Sequence, residues 1–360
     1  MNNDLKGKRI FVTGACGTVG HELVRQLLEE YQVEELVGVD NNESELFFLE
    51  QRFSIHSQAT FFLADVRDKE KLTKKMRGMD IVFHAAAFKH VILCERSPME
   101  AVQTNILGVQ NVISAATENG VGCAVFTSSD KAVNPTNVMG TSKLMGERLM
   151  SAANSNLRED GPRFVSTRFG NVLGSHGSVI PIFREQIRMG GPVTLTDPDM
   201  TRFIMSIKEA VRLVIDSSTL ACGGEVFVTK MPVIRIKDLA EVMIQELAHK
   251  FGKKPEDIGI QNIGVKPGEK MYEELMNYEE IRRSWELDRY FVVLPAFAGM
   301  YRNIQYAYPE VIKKQVEKEY HSANEVPFSK EQLLFFLQDN NLLLTSSDDW
   351  EHPAERYWPN

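Results

Sequence analysis

Short apolar runs alternate with amphipathic stretches from the start of the chain. RIFVTG, ELVGVD, TFFLADV, DIVFHAAA, CAVFTSSD and RFVSTRFG read as strands, while HELVRQLLEEY, SELFFLEQRF, AVQTNILGVQNVISAATENG and TSKLMGERLMSAAN between them carry apolar residues at helical spacing. Strand and helix in regular alternation signal βαβ units and a parallel sheet with helices on its faces. The rhythm predicts an α/β fold with a Rossmann-type doubly wound sheet, complete with roughly seven strands by about residue 170.

After Gly170 the texture changes. GNVLGSHGSVIPIF and GGPVTLTDPDMTRFIM are rich in Gly, Pro and Thr and read as loops and short strands suited to a lid or pocket. Helices over IKEAVRLVIDSST and IKDLAEVMIQELAHKF flank a strand EVFVTK, so the chain is expected to return to its first unit before completing a second. The expected division is a nucleotide-binding domain over residues 1–172 plus about 203–232, a smaller C-terminal α/β domain over 173–202 and 233–300, and an extension over 301–360. The extension has apolar patches such as EQLLFFL but no chemical motif.

Acidic side chains outnumber basic ones, 49 to 41, for a net charge of -8. That average field repels nucleic acid and anionic membrane surfaces, so an anionic ligand needs a local basic pocket. Cys16, Cys94, Cys123 and Cys222 stand far apart, without CxxC or Cys/His ligand spacing, which predicts reduced thiols and no metal site. The N-terminus passes from a few polar residues straight into a strand, and no run approaches the roughly 18 apolar residues of a membrane helix. The expectation is a cytoplasmic protein.

RIFVTG runs into Gly14, Gly17 and Gly20, with a helix opening at once over Thr18 and Val19. Glycine here lets the backbone turn tightly and approach a pyrophosphate, whose charge rests on the helix N-terminus. Asp40 ends the next strand about 20 residues on, where it can bind the adenosine ribose hydroxyls, with Asn41 beside it. No Arg or Lys follows it directly, which favours NAD over the phosphorylated cofactor. Asp65 and Val66 can flank the adenine, although a turn-forming aspartate explains Asp65 as well. Ala85 and Ala86 allow close passage of the cofactor, and core packing is their plainer account.

CAVFTSSDKAVNPTNVMGTSK brings together Ser129, Asp130, Lys131, Met139 and Lys143. The segment resembles the active site of short-chain dehydrogenases, where a strand ends in Ser or Thr and a Tyr-x-x-x-Lys pair lies on the following helix. Met139 stands at the tyrosine's place, and a thioether cannot do acid-base work. The run SDKAVNPTNVMG, with AAFKHV, STRFGNVLGSHGSVIPIF, MTRFIM and KPGEKMYEEL, is similar to the polysaccharide-biosynthesis family of UDP-N-acetylglucosamine 4,6-dehydratases, over nearly the whole length to about residue 295.

The resemblance implies an extended short-chain dehydrogenase fold whose smaller domain binds substrate, a tightly bound NAD, and a role in sugar biosynthesis for bacterial surface glycans. It also implies internal redox: hydride leaves sugar C4, the C5 proton is removed beside the new ketone, the C6 hydroxyl departs as water and hydride returns to C6. On this reading Asp130 is the acid for the C6 hydroxyl and, with Met139 inert, also accepts the C4 proton. Lys131 is the C5 base, which asks for a pKa lowered by desolvation and by Lys143 and Lys89. Ser129 bonds the C4 oxygen, or is a turn cap; Lys143 holds the nicotinamide ribose.

Lys89, Arg168, Arg202 and Lys266 lie in motifs resembling the family's substrate-binding segments, with Arg202 the leading diphosphate ligand. Asn171 is expected on phosphate or sugar, Ser178 and Val179 near the base, Thr194 in the same pocket and Glu269 on a ribose. His90, next to Lys89, joins the substrate-binding candidates and can be read as a general acid; surface ion pairs are the plainer account of these charges, a strand-end anchor that of Arg168, and a packed or solvent-facing side chain that of His90. Methionine-bearing members look like the branch that retains the C5 configuration. The rival readings are a dehydratase that inverts C5, a C4 epimerase, which needs neither a C5 base nor a C6 acid, and an NAD-binding scaffold without turnover. A homo-oligomer is expected, pairing through AVQTNILGVQNVISAA and TSKLMGERLM.

Overall fold

The computed structural model describes residues 5–154, 161–174, 178–265, 268–297 and 304–344. Strands β1 (Arg9–Thr13), β2 (Glu35–Asp40), β3 (Ala59–Leu63), β4 (Ile81–His84), β5 (Cys123–Thr127) and β6 (Arg163–Arg168) are parallel and lie in the order β3-β2-β1-β4-β5-β6. Six strands, not seven, are therefore complete at Arg168. The seventh parallel strand, Val226–Thr229, reaches β6 only after the excursion that begins at Asn171. Strand order reverses between β1 and β4, and the carboxyl ends of the strands open a crevice there.

The sheet continues past this point. Tyr290–Val293 pairs antiparallel with Val226–Thr229, and Ser284–Leu287 and Val311–Lys313 follow, giving ten strands among the described residues. Segments expected in the smaller unit and in the terminal extension thus complete the large sheet. All four residues of Tyr290–Val293 are buried. Without them the strand Val226–Thr229 would present an unpaired edge to solvent.

A second core gathers the helices Val179–Met189, Ile236–Leu247 and Lys330–Asp339 through Ile180, Phe183, Leu239, Met243, Leu333 and Leu337. The EQLLFFL patch is this last helix: Ser329 caps it, accepting from Gln332 N, and Leu333 and Leu337 share its buried face. The stretch expected as one helix over AVQTNILGVQNVISAATENG is interrupted. A π turn over Val102–Leu107 precedes the α-helix Gly108–Glu118. That turn delivers the buried Asn105, which accepts from Phe88 N at 2.8 Å and donates to Phe88 O at 3.0 Å and to Ser142 Oγ at 2.9 Å. It fastens the backbone beside Lys89 to the helix Val138–Ala153, a role no periodicity in the sequence announced.

Candidate active site

The glycine turn is shaped by two different demands. Gly14 has φ +68°, and a Cβ on it would lie 2.6 Å from Ala86 N; one on Gly20 would lie 1.9 Å from Gly14 O. These two glycines are required by the protein's own close packing, Gly14 against the backbone of Ala85 and Ala86 and Gly20 against Gly14 itself. At Gly17 the nearest atom to such a Cβ would be Gly14 O at 3.3 Å. Gly17 precedes the helix Thr18–Glu29 with no side-chain cap, so Thr18, Val19 and the following residues present N–H groups at an open helix N-terminus. A pyrophosphate fits that cradle.

Asp40 closes β2 with both carboxylate oxygens engaged locally: Oδ2 accepts from Cys16 N and Oδ1 from Asn42 N, each at 3.0 Å. Each oxygen keeps a lone pair for a ribose hydroxyl. Asp65 shapes the turn, accepting from Arg67 N at 2.9 Å, from Arg67 Nε and from Asn41 Nδ2. Val66 beside it packs on Gly108, where an added Cβ would meet Val66 Cγ2 at 2.8 Å.

Two strands away from the glycine turn, β5 runs into a single 3-10 turn, Asp130–Ala132. Ser129 Oγ donates to Asp130 Oδ1 at 2.6 Å and accepts from Lys131 N at 3.2 Å, so its proton is spent on Asp130 and it caps the turn. Lys131 Nζ lies 3.1 Å from Asp130 Oδ1. Asp130 is 1% exposed, and its Oδ2 has no hydrogen-bond partner among the described residues. The helix Val138–Ala153 rides directly on this turn, because Gly140 comes so close that a Cβ would stand 2.2 Å from Lys131 O. Asn137 caps the helix, accepting from Gly140 N at 2.8 Å.

From that helix Lys143 donates to Thr127 O at 2.8 Å and lies 4.7 Å from the centre of the Phe126 ring. Met139, one turn earlier, is buried among Cys94, Ala101 and Val91. The loop after the turn is clamped from far along the chain: Lys270 Nζ donates to Val133 O at 2.9 Å, and Asn134 Nδ2 to Glu274 Oε1 at 3.0 Å. Residues 268–276 therefore form one wall of the site.

The charges of the site differ from expectation in one respect. Desolvation pushes the Asp130 carboxyl up, but the Lys131 ammonium and the Ser129 hydrogen bond outweigh it and hold the group below its usual range. Desolvation likewise pulls Lys131 down, yet the carboxylates of Asp130 and Glu273 outweigh it and raise the ammonium above its ordinary value. The expected lowering by Lys143 and Lys89 is thus corrected. The strongest charges facing Lys131 are carboxylates, and Lys143 is turned to the end of β5.

Glu273, absent from the residues picked out by sequence, is 5% exposed and places Oε1 3.5 Å from Lys131 Nζ and 3.3 Å from Arg202 Nε. Two further expectations are corrected. Arg168 is wholly enclosed: it binds Glu147 at 2.6 and 2.7 Å, Glu280 at 2.8 and 2.9 Å and Leu275 O at 3.2 Å, leaving no donor for a substrate. Arg202 is also committed, to the carbonyls of Thr201, Lys270 and Met271 and to Glu273, so it builds the wall and does not face a diphosphate.

Asn171 Nδ2 and Ser178 Oγ are buried without a partner among the described residues, and Val179 opens a helix. Thr194 is held by Gln186, and Glu269 accepts from Thr196 Oγ1 at 3.4 Å. Lys89 and His90 are exposed. Lys266 lies outside the described residues.

Desolvation lowers Lys143 to about 8, with Glu147 opposing. A lysine titrating lower in the folded protein than its unfolded value of about 10.4 burdens the fold below the folded pKa, and that burden lifts as pH rises between the two. The stability of the apoprotein relative to Lys143→Met should therefore climb by about 2 kcal/mol between pH 7.5 and 9.5. Urea unfolding of both proteins at the two pH values measures it, and a constant gap would show that Lys143 is not the burdened group.

Residues 10–295 match the family described as polysaccharide biosynthesis protein. The chain is 50% identical over 319 residues to an uncharacterized membrane protein of Methanocaldococcus jannaschii, across 89% of this chain and 95% of that one. It is 38% identical to an inverting UDP-N-acetylglucosamine 4,6-dehydratase of Campylobacter jejuni, across 81% and 84%. The solved structure of Pen from Bacillus thuringiensis matches with a TM-score of 0.84 at 38% identity, over 93% of this chain and 98% of that one. Among the described residues no helix is long and apolar enough to cross a membrane. A family match over most of the chain, and a doubly wound sheet carrying the glycine turn and the Asp130–Lys131 site, make this chain a member of the polysaccharide biosynthesis protein family, built on the extended short-chain dehydrogenase fold.

Proposed function

We propose that this enzyme is an NAD-dependent UDP-N-acetylglucosamine 4,6-dehydratase that retains the C5 configuration. The observation that carries the dehydratase reading is the buried Asp130–Lys131 pair at the carboxyl end of β5, a carboxylate and an ammonium 3.1 Å apart in a site whose residue 139 cannot exchange a proton. An epimerase needs no such second acid and base. When bound, NAD supplies a hydride acceptor for C4 and a hydride donor for C6.

Lys143 holds the nicotinamide ribose from the helix behind it. Asp130 takes the C4 hydroxyl proton and later gives a proton to the departing C6 hydroxyl; the duties fall at different steps, so one carboxyl serves both. Neutralising Asp130 also removes the nearer of the two carboxylates that keep Lys131 charged. That moves Lys131 toward the neutral form a C5 base needs, and reconciles its raised resting value with its task.

Lys89 and Lys266 are assigned to the diphosphate, Asn171, Ser178 and Val179 to the nucleotide end, and Thr194 and Glu269 to the ribose side. Retention rests on the likeness of Met139-bearing chains to the retaining branch, against a relative named as inverting. A homo-oligomer is proposed through the helices bearing Leu107 and Met145, which are 52% and 45% exposed.

Proton NMR of the purified protein with UDP-N-acetylglucosamine in heavy water tests the reading. A new C6 methyl with a 4-keto or hydrated ring is the expected product, and its ring couplings report C5. An inverted ring overturns retention alone. An epimerised sugar with its C6 hydroxyl intact, or no change with added NAD, overturns the dehydratase.

A further inference from the structure

Glu273 is fixed by the far end of the chain. Its N–H donates to Ser322 Oγ at 2.9 Å and its carbonyl accepts from Ser322 N at 2.9 Å, while the strand Tyr320–His321 pairs antiparallel with Glu274–Met276. Ser322 Oγ also lies 2.9 Å from Thr201 Oγ1, next to Arg202. The tail thereby sets the backbone of Glu273 against the Arg202 strand, and its carboxylate projects to Lys131.

Four charged groups then alternate in sign. Asp130, Lys131, Glu273 and Arg202 are linked by contacts of 3.1, 3.5 and 3.3 Å, and Glu269 stands 3.7 Å behind Arg202. A lone pair of buried carboxylates would repel, and the two cations set between and beside them make the arrangement tolerable. Burial, together with the charge and close side-chain approach of Asp130, raises the Glu273 carboxyl, with Lys131 and Arg202 opposing.

A lysine stem is flexible and its ammonium is a point charge, so the group goes where its partners hold it. Asp130 changes protonation during the proposed reaction and cannot be a constant partner. We propose that Glu273 is the positioning residue for Lys131, the carboxylate that keeps its amino group against the sugar while Asp130 cycles, and that the C-terminal tail serves the site by holding Glu273 through Ser322. The inference rests on the reading of Lys131 as the C5 base.

The test compares holoenzyme, Glu273→Gln and Glu273→Asp with UDP-N-acetylglucosamine, measuring kcat and KM across pH. Loss of one carboxylate beside Lys131, with Asp130 and Arg202 its remaining charged neighbours, lets it lose its proton more readily. The rising limb of kcat should move to lower pH by about one unit in Glu273→Gln, and the plateau should fall about tenfold with KM nearly unchanged. Glu273→Asp keeps a charge beside Arg202 but withdraws it from Lys131, so the same limb should move by less; it decides the matter if the glutamine variant fails to fold. A limb that stays in place in both folded variants overturns the proposal, even if rates drop. A wild type without turnover overturns the dehydratase reading and this inference together.

Discussion

Asp130→Asn should leave a folded protein that still binds the dinucleotide while turnover falls by about 10³-fold or more, since one carboxyl is asked to act at two proton transfers. The substitution is nearly isosteric. An asparagine oxygen can still accept from Ser129 Oγ and Lys131 N, which meet Asp130 Oδ1 at 2.6 and 2.9 Å. What goes is the charge and the ability to carry a proton, and the position of Oδ2, buried and without a described partner, receives an amide. Mixing the variant with substrate and following reduced-nicotinamide absorbance separates the two duties. No reduction is expected, because the C4 hydroxyl has lost its base. Reduced cofactor that forms and persists would confine Asp130 to the C6 step and place the C4 base elsewhere, whereas turnover within tenfold of wild type would remove it from both.

The parts of this molecule that were legible in the sequence are those whose cause is local. Each βα unit of the first six strands carries its own apolar run and helix, the turn at Gly14 to Gly20 is contiguous, and Asp130 and Lys131 are neighbours at a strand end. The parts that were not legible depend on what tertiary structure places alongside. From the sequence Lys131 is expected to be lowered by Lys143 and Lys89, but the groups that set its charge are Asp130 and a glutamate 142 positions away, brought in by the clamp of Lys270 and Asn134 on the reactive turn. The tail shows no motif because its contribution is structural: the strand Val311–Lys313 extends the large sheet, Leu333 and Leu337 pack in the second core, and Ser322 grips Glu273 by its amide and carbonyl. Arg168 and Arg202 looked like cations awaiting an anion, and a sequence cannot show that protein acceptors already surround them.

Arg168→Met should be the most damaging of these substitutions for stability, costing about 3–5 kcal/mol. The guanidinium is 1% exposed and joins three distant elements: β6, Glu147 on the helix that carries Lys143, and Glu280, which caps its own short helix with Asn277. Ser128 at the end of β5 donates to the same Glu147 at 2.5 Å. Removing the cation leaves two buried carboxylates facing one another, and methionine packing does not compensate for an unpaired charge. Burial raises Glu280, but Arg168 outweighs it and holds the group low, so this pairing stabilises the fold above the unfolded glutamate value and is lost as pH falls through the folded one. The gap between wild type and variant should accordingly be widest near neutrality and close toward acid. Adding Glu147→Gln and Glu280→Gln should recover much of the loss, since the unpaired charges are then gone. Urea unfolding at two pH values, with KM for the nucleotide sugar measured alongside, discriminates the structural role from the substrate contact that the sequence suggested: a variant as stable as wild type whose KM rises a hundredfold would return Arg168 to the pocket.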